Sequence, residues 1–196
     1  PGFIKLISTA KSGKIGKIVD VEAAFTKLVT GNGREFQKEE NGGSFTELGS
    51  YPLLAIFKIF GTNYKDVHFK SFCNKDGIDL YTKADIEYEH AIASIKVGLG
   101  VKSEGNLVIS GTRGNIIAEA PWWMTKSFEI HYEDIDLNEK YFSMYLGQGL
   151  RYEIAAFISL INHYDRKQIM SKKESIALAR VMETFLQDEQ KKIIEL

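Results

Sequence analysis

Three consecutive stretches in the middle of the chain alternate apolar and polar residues with a period of two, and this limits the fold more than any other feature. Val67, Phe69, Ser71 and Cys73 interleave with polar neighbours; Ile78, Leu80, Ala84, Ile86 and Tyr88 interleave with Asp79, Lys83, Asp85 and Glu87; Ala91, Ala93, Ile95, Val97 and Leu99 form a third set. Successive side chains of an extended strand point to opposite faces, so each stretch reads as a strand with one buried face. The links are short: Glu89-His90 and Gly111–Gly114 fit hairpins, which makes neighbouring strands antiparallel. Earlier in the chain Val19, Val21, Ala23, Phe25 and Val29 alternate with Asp20, Glu22 and Thr26, and Asn106–Ser110, Asn115–Ala120 and Phe128–Tyr132 extend the series. Six or seven strands are expected.

Helical spacing frames this sheet at both ends. Residues 3–12 read as a short helix, residues 44–60 as a buried one ending at Gly61. Leu150, Ile154, Phe157, Ile158 and Ile161, then Leu178, Val181, Met182 and Phe185, mark two closing helices. Ser171-Lys172-Lys173-Glu174 has the spacing of a capping box. The expected fold class is α+β: an open, mostly antiparallel sheet with helices packed on one face. The second face is expected to be apolar and to meet another subunit or domain.

With 196 residues, 44% of them hydrophobic, the chain can bury one substantial core and reads as one domain. Its 25 basic and 26 acidic residues nearly cancel, which argues against nucleic acid or an anionic membrane as partner. Cys73 is the only cysteine; it reads as a small buried hydrophobe and fits a reducing, cytoplasmic setting. No apolar run reaches the roughly 18 residues of a membrane span. Pro1-Gly2, without an initiator Met, reads as a boundary with further sequence upstream.

Most catalytic constellations are missing from the sequence. His68, His90, His131 and His163 lie without metal-ligand spacing, and no metal site is expected. Gly13-Lys14-Ile15-Gly16-Lys17 has the wrong spacing for a phosphate loop and reads as a turn. Polar groups do punctuate the otherwise apolar segment from Gly42 to Leu53. Glu47 and Tyr51 are four apart, so on a continuous helix they share a face and a carboxylate can orient a phenol. The bland alternative makes Tyr51 a core aromatic and Glu47 a solvated carboxylate. Pro52 biases Tyr51 away from helical dihedrals.

This segment resembles the active-site helix of the glucose-fructose oxidoreductase, inositol dehydrogenase and rhizopine catabolism family (Gfo/Idh/MocA), whose pattern G-G-x-x-x-D-x-G-x-[HY] is met in register at Gly42, Gly43, Gly49 and Tyr51. Further stretches agree in order: Ser12 to Ile18, Ile109 to Ile116 followed by Ala120-Pro121-Trp122-Trp123, Gly149 to Glu153, and Glu174 to Ala179. The resemblance implies a C-terminal substrate-binding and dimerisation domain of an NAD- or NADP-dependent oxidoreductase acting on a sugar, diol or polyol. It implies a homodimer or tetramer through the open sheet face. The cofactor would sit mainly on an upstream Rossmann domain, since no strand-G-x-G-x-x-G-helix unit occurs here, and this chain is expected to hold no cofactor-binding residues. Tyr51 would be the catalytic acid/base. A phenol suits that task when a cation stabilises its phenolate, and the family's Glu-Lys-Pro lysine is not in these residues. Glu47 stands where most members have Asp and would contact substrate.

Trp123 and Arg151 are further substrate-binding candidates. Trp rings stack on sugars, yet Trp122 and Trp123, adjacent on an expected strand, would face opposite ways, and packing or interface roles compete. Arg151, near the start of a helix, can bind an anionic group or stay solvated. Two functions therefore stand side by side: the substrate half of an oxidoreductase, or a noncatalytic binding or oligomerisation module that has kept the fold.

Overall fold

A computed structural model describes residues 1–30, 33–144, 146–147, 149–162, 170–188 and 191–195. The alternating stretches become the meander β2 (Asp66–Cys73), β3 (Asp79–Glu87) and β4 (Ile92–Gly98). A second meander is built from β5 (Leu107–Gly111), β6 (Gly114–Ala118), β7 (Ser127–His131) and β8 (Glu139–Phe142). The early strand β1 (Ile18–Thr26) joins the two, pairing in parallel with β4 and antiparallel with β5. With β9 (Lys192–Glu195) at the far edge, the order is β8-β7-β6-β5-β1-β4-β3-β2-β9. The sheet is open and mostly antiparallel, as expected. Among the described residues it has nine strands against the six or seven expected, and β8 and β9 are four-residue edge strands too short to show a period.

Four helices cover one face: α1 (Gly2–Ala10), α2 (Ser44–Leu48), α3 (Ser50–Phe60) and α5 (Lys172–Gln187). Leu6, Phe45, Leu53, Ile56 and Val181 join Val21, Ala84, Ile95, Ile109 and Ile130 of the sheet in one core. Phe45, Phe69 and Phe185 pack ring against ring at 4.5–5.2 Å between centroids, tying α2 to β2 and α5. Pairs of this kind contribute roughly 0.5–1.5 kcal/mol each beyond their burial. The capping box at the start of α5 forms as read, with Glu174 also held by Lys58 of α3 at 2.9 Å. Cys73 is a buried free thiol.

Several expectations need correction. Residues 44–60 form two helices, because Pro52 has no N–H to give the Leu48 carbonyl; Gly49 between them still has helical dihedrals. Tyr51 accordingly lies inside the first turn of α3, where proline is tolerated and did not displace it. Val19 is exposed, because the β1–β5 register shifts between Ile18 and Asp20. Trp122 and Trp123 belong to a 3₁₀ turn and not to a strand. The closing helix α4 (Leu150–Ile161) buries none of its side chains, leaving Leu150, Ile154, Phe157, Ile158 and Ile161 exposed.

The second sheet face is charged and not apolar. The registers set Lys70, Lys83 and Lys96 side by side in one row and Asp85, Ser94 and Glu22 in the next. Over β2–β4 most of the apolar set turns to the helices and the polar set faces outward, while Val108 and Ile117 continue the outward row on β5 and β6. Lys70 pairs diagonally with Asp85 at 3.5 Å. A cavity of about 150 Å³ on this side is lined by Glu22, Ser94, Lys96, Glu104, Asn106 and Val108.

Candidate active site

The start of α2 is built around a close approach. Gly43 has φ 129° and ψ 156°, a region nearly closed to other residues, and a β-carbon there would lie 2.1 Å from Asp79 Oδ1. Asp79 reaches across from β3: its Oδ2 accepts the Phe45 N–H at 2.9 Å and the Thr82 hydroxyl at 2.7 Å. Ser44 donates its hydroxyl to the Asp79 carbonyl at 2.9 Å and accepts the Leu99 N–H at 3.0 Å. Asp79 is 6% exposed. Burial pushes its carboxyl up to about 6, against the opposing pull of the Thr82 and Phe45 hydrogen bonds and the Lys191 charge.

From this anchored start the chain presents Glu47 and Tyr51 in succession. Arg34, in a 3₁₀ turn (Arg34–Phe36) of the preceding loop, holds Glu47 by both forks, Nη1 to Oε1 at 2.9 Å and Nη2 to Oε2 at 3.0 Å. The Gly43 N–H bonds the Glu35 carbonyl at 2.9 Å, which sets that turn beside α2. The Tyr51 ring meets Phe25 of β1 edge-on at 5.0 Å and Trp123 at 6.3 Å, and the residue remains 46% exposed. Trp123 stacks on Phe25 at 3.8 Å. Trp122, 2% exposed, anchors the turn by donating its indole N–H to the Ala24 carbonyl at 2.8 Å. The result is an accessible phenol braced by an aromatic platform, one helical turn beyond a forked ion pair.

Of the residues singled out from sequence, Tyr51, Glu47 and Trp123 therefore gather around the α2–α3 segment and the end of β1. Arg151 does not join them: it sits exposed on α4, with no hydrogen bond or ion pair to Glu47 or Tyr51 among the described residues. Arg34 and Asp79 escaped the sequence reading. Arg34 lies in an aperiodic loop; strict alternation sets Asp79 with the polar residues Lys83, Asp85 and Glu87. A β-bulge at Phe72 and Cys73 shifts the pairing so that Asp79 turns inward, and Gly42-Gly43 was the one signal of a close neighbour. His68, His90 and His131 each face an acidic neighbour, at 3.4, 4.0 and 2.9 Å, while His163 lies outside the described residues. Among the described residues no three His, Cys, Asp or Glu side chains converge as a metal site. No described helix is long and apolar enough to cross a membrane.

Residues 3–117, more than half of the chain, match the GFO/IDH/MocA C-terminal domain family. A trans-1,2-dihydrobenzene-1,2-diol dehydrogenase of Danio rerio is 21% identical over 133 residues, which covers 67% of this chain and 40% of the dehydrogenase. The fold is shared with KijD10, a 3-ketoreductase from Actinomadura kijaniata. A point mutant of that enzyme in complex with TDP-benzene and NADP superposes with a TM-score of 0.83 at 16% identity, over 100% of this chain and 61% of that one. Its open conformation, with the same two ligands, gives 0.75 at 16% identity over 98% and 58%. The chain thus spans two fifths of the dehydrogenase and about three fifths of the ketoreductase.

Proposed function

Because the chain belongs to the GFO/IDH/MocA C-terminal domain family, we propose that it forms the substrate-facing and self-associating part of an NAD(P)-dependent oxidoreductase acting on a hydroxyl or carbonyl of a sugar, diol or polyol. The observation that carries this is Tyr51: its phenol stays accessible while Phe25 and Trp123 hold its ring. Tyr51 exchanges a proton with the reacting oxygen of the substrate, Trp123 supplies a flat wall for the carbon skeleton, and Glu47, held by Arg34, accepts a hydrogen bond from a neighbouring hydroxyl. Arg151 is kept as a contact for an anionic substrate group only if α4 folds toward the site in the complete protein.

A dinucleotide is assigned to another part of the protein, because the described residues of this chain hold no Rossmann-type turn. Among the described residues no strand leads through a G-x-G-x-x-G turn into a helix, and the cavity of about 150 Å³ opens on the charged sheet face. The cofactor, NAD or NADP, belongs on a separate Rossmann domain. The open sheet face is the proposed surface for a second copy, giving a homodimer or tetramer. The free thiol of Cys73 suits a cytoplasmic protein.

The test is Tyr51→Phe in the complete enzyme. Turnover should fall by about two orders of magnitude or more, with cofactor affinity unchanged; near-normal turnover would take the catalytic role from Tyr51. A noncatalytic binding module is the second reading, favoured by one observation: Arg34 occupies both carboxylate oxygens of Glu47.

A further inference from the structure

Asp79 poses a question that packing alone does not answer. An ionised carboxylate is among the most costly groups to bury, and a neutral side chain on β3 could fill the same space. Yet Asp79, on β3, is wired to three other parts of the fold. Thr82 spends its single hydroxyl proton on Asp79 Oδ2, so the Ser71 hydroxyl, 2.8 Å from Thr82, must be the donor in that pair; this links β2 to the carboxylate. The other partner of Oδ2 is the Phe45 N–H of α2, and the Asp79 backbone carbonyl takes the Ser44 hydroxyl, which in turn holds Leu99 at the end of β4. Gly43 leaves no room for a β-carbon between them.

We propose that Asp79 is a positioning residue of the candidate site: through the Phe45 amide its carboxylate sets where α2 begins, and thereby where Glu47 and Tyr51 stand relative to Phe25 and Trp123. The proposal rests on the reading of Tyr51 given above. Its physical basis is continuity. Gly49 keeps helical dihedrals between α2 and α3, so a shift at Phe45 is carried to Tyr51, fewer than two turns further on. A hydrogen bond from an N–H to a charged acceptor is roughly twice as strong as one to a neutral group, so the anchor slackens when the carboxylate takes up a proton. The titratable or charged groups that act on Asp79 across the packed elements are the Cys73 thiol on β2 and the Lys191 ammonium ahead of β9; neither belongs to α2 or α3.

Nuclear magnetic resonance on this chain reads the coupling without any activity. Between about pH 8 and pH 5 the Phe45 amide proton should move upfield, and the Tyr51 ring resonances should shift with the same midpoint, near the value of about 6 to which burial raises Asp79. In Asp79→Asn both titrations should vanish. A Phe45 amide that does not titrate in wild type would show that the carboxylate does not hold α2. Tyr51 resonances that stay fixed while Phe45 titrates would reduce Asp79 to a local cap; either result overturns the proposal, and wild type alone suffices if the variant fails to fold. In the complete enzyme Asp79→Asn should lower kcat by about tenfold and leave KM within about twofold, whereas general unfolding lowers the active fraction and leaves both constants per folded molecule unchanged. Loss of Tyr51→Phe sensitivity would remove the catalytic reading, while the shared midpoint of Phe45 and Tyr51 decides this one separately.

Discussion

Replacing Gly43 with alanine isolates the contact on which the candidate site is built. Two costs combine. The backbone at φ 129° and ψ 156° lies in a region that residues with a β-carbon rarely adopt, at about 1–3 kcal/mol. The new methyl group would also sit 2.1 Å from Asp79 Oδ1, so the carboxylate must withdraw. It cannot do so without loosening the Phe45 and Thr82 hydrogen bonds, and bonds to a charged group are worth about 1.5–3 kcal/mol each. Partial loss of one of them together with the strain gives about 3 kcal/mol, a large share of the roughly 5–15 kcal/mol that holds a domain folded. The control is Gly77→Ala, at φ 80° with nothing within 4 Å of the added carbon, which should cost only about 1–2 kcal/mol. Urea unfolding of both variants, followed by tryptophan fluorescence, gives the comparison at an unchanged m-value. Equal costs for the two variants would refute the claim that Asp79 is pinned against Gly43.

Trp122→Phe should destabilise by about 3 kcal/mol, from lost packing and from the Ala24 carbonyl left buried without its donor; a loss under about 1 kcal/mol in the same unfolding assay would mean that water replaces the indole. The acid response of Asp79 has a definite sign. Its carboxyl is raised in the fold, so its contribution to stability is full below the unfolded value near 4 and is lost as pH rises through about 6. The difference in unfolding free energy between wild type and Asp79→Asn should therefore shift in favour of wild type by about 1 kcal/mol from pH 7 to pH 5, and a flat difference would contradict the raised carboxyl. Light scattering should give a dimer or larger species at low salt that dissociates as salt rises, because the proposed association face is charged; a monomer at all salt concentrations would remove that face from the interface.

The meanders were legible because period two is a local property of the sequence, and the capping box at Ser171 because its geometry spans one turn. Strand identity did not fix which side every residue faces. One bulge at Phe72 and Cys73 was enough to turn Asp79 inward, and bulges leave no mark in an apolar–polar pattern. The α4 stripe shows the converse. Its spacing announces an apolar helix face, but spacing says nothing of whether the covering surface lies in the same chain. At the site, the four-residue separation drew attention to Glu47 and Tyr51, and the resemblance to the family pattern at Gly42, Gly43, Gly49 and Tyr51 supplied their expected roles. The platform beneath Tyr51 was not legible, since Phe25 and Trp123 meet only after β1 and the turn beyond β6 are brought together by the sheet.

The place of β1 in that sheet also bears on how the protein comes into being. It is made before either of its neighbours, β4 and β5: Val21 pairs with Ala93 on one side and with Ile109 on the other. On a ribosome, β1 therefore waits with both edges unsatisfied while the whole β2–β4 meander is synthesised and leaves the exit tunnel. Pairings so distant along the chain fold slowly, and an unpaired strand during that interval is open to other chains. The charges at Asp20 and Glu22 give the waiting strand some protection, as charged residues do on exposed strand edges. The native pairing of β1 is complete only when it has been inserted between two strands made after it.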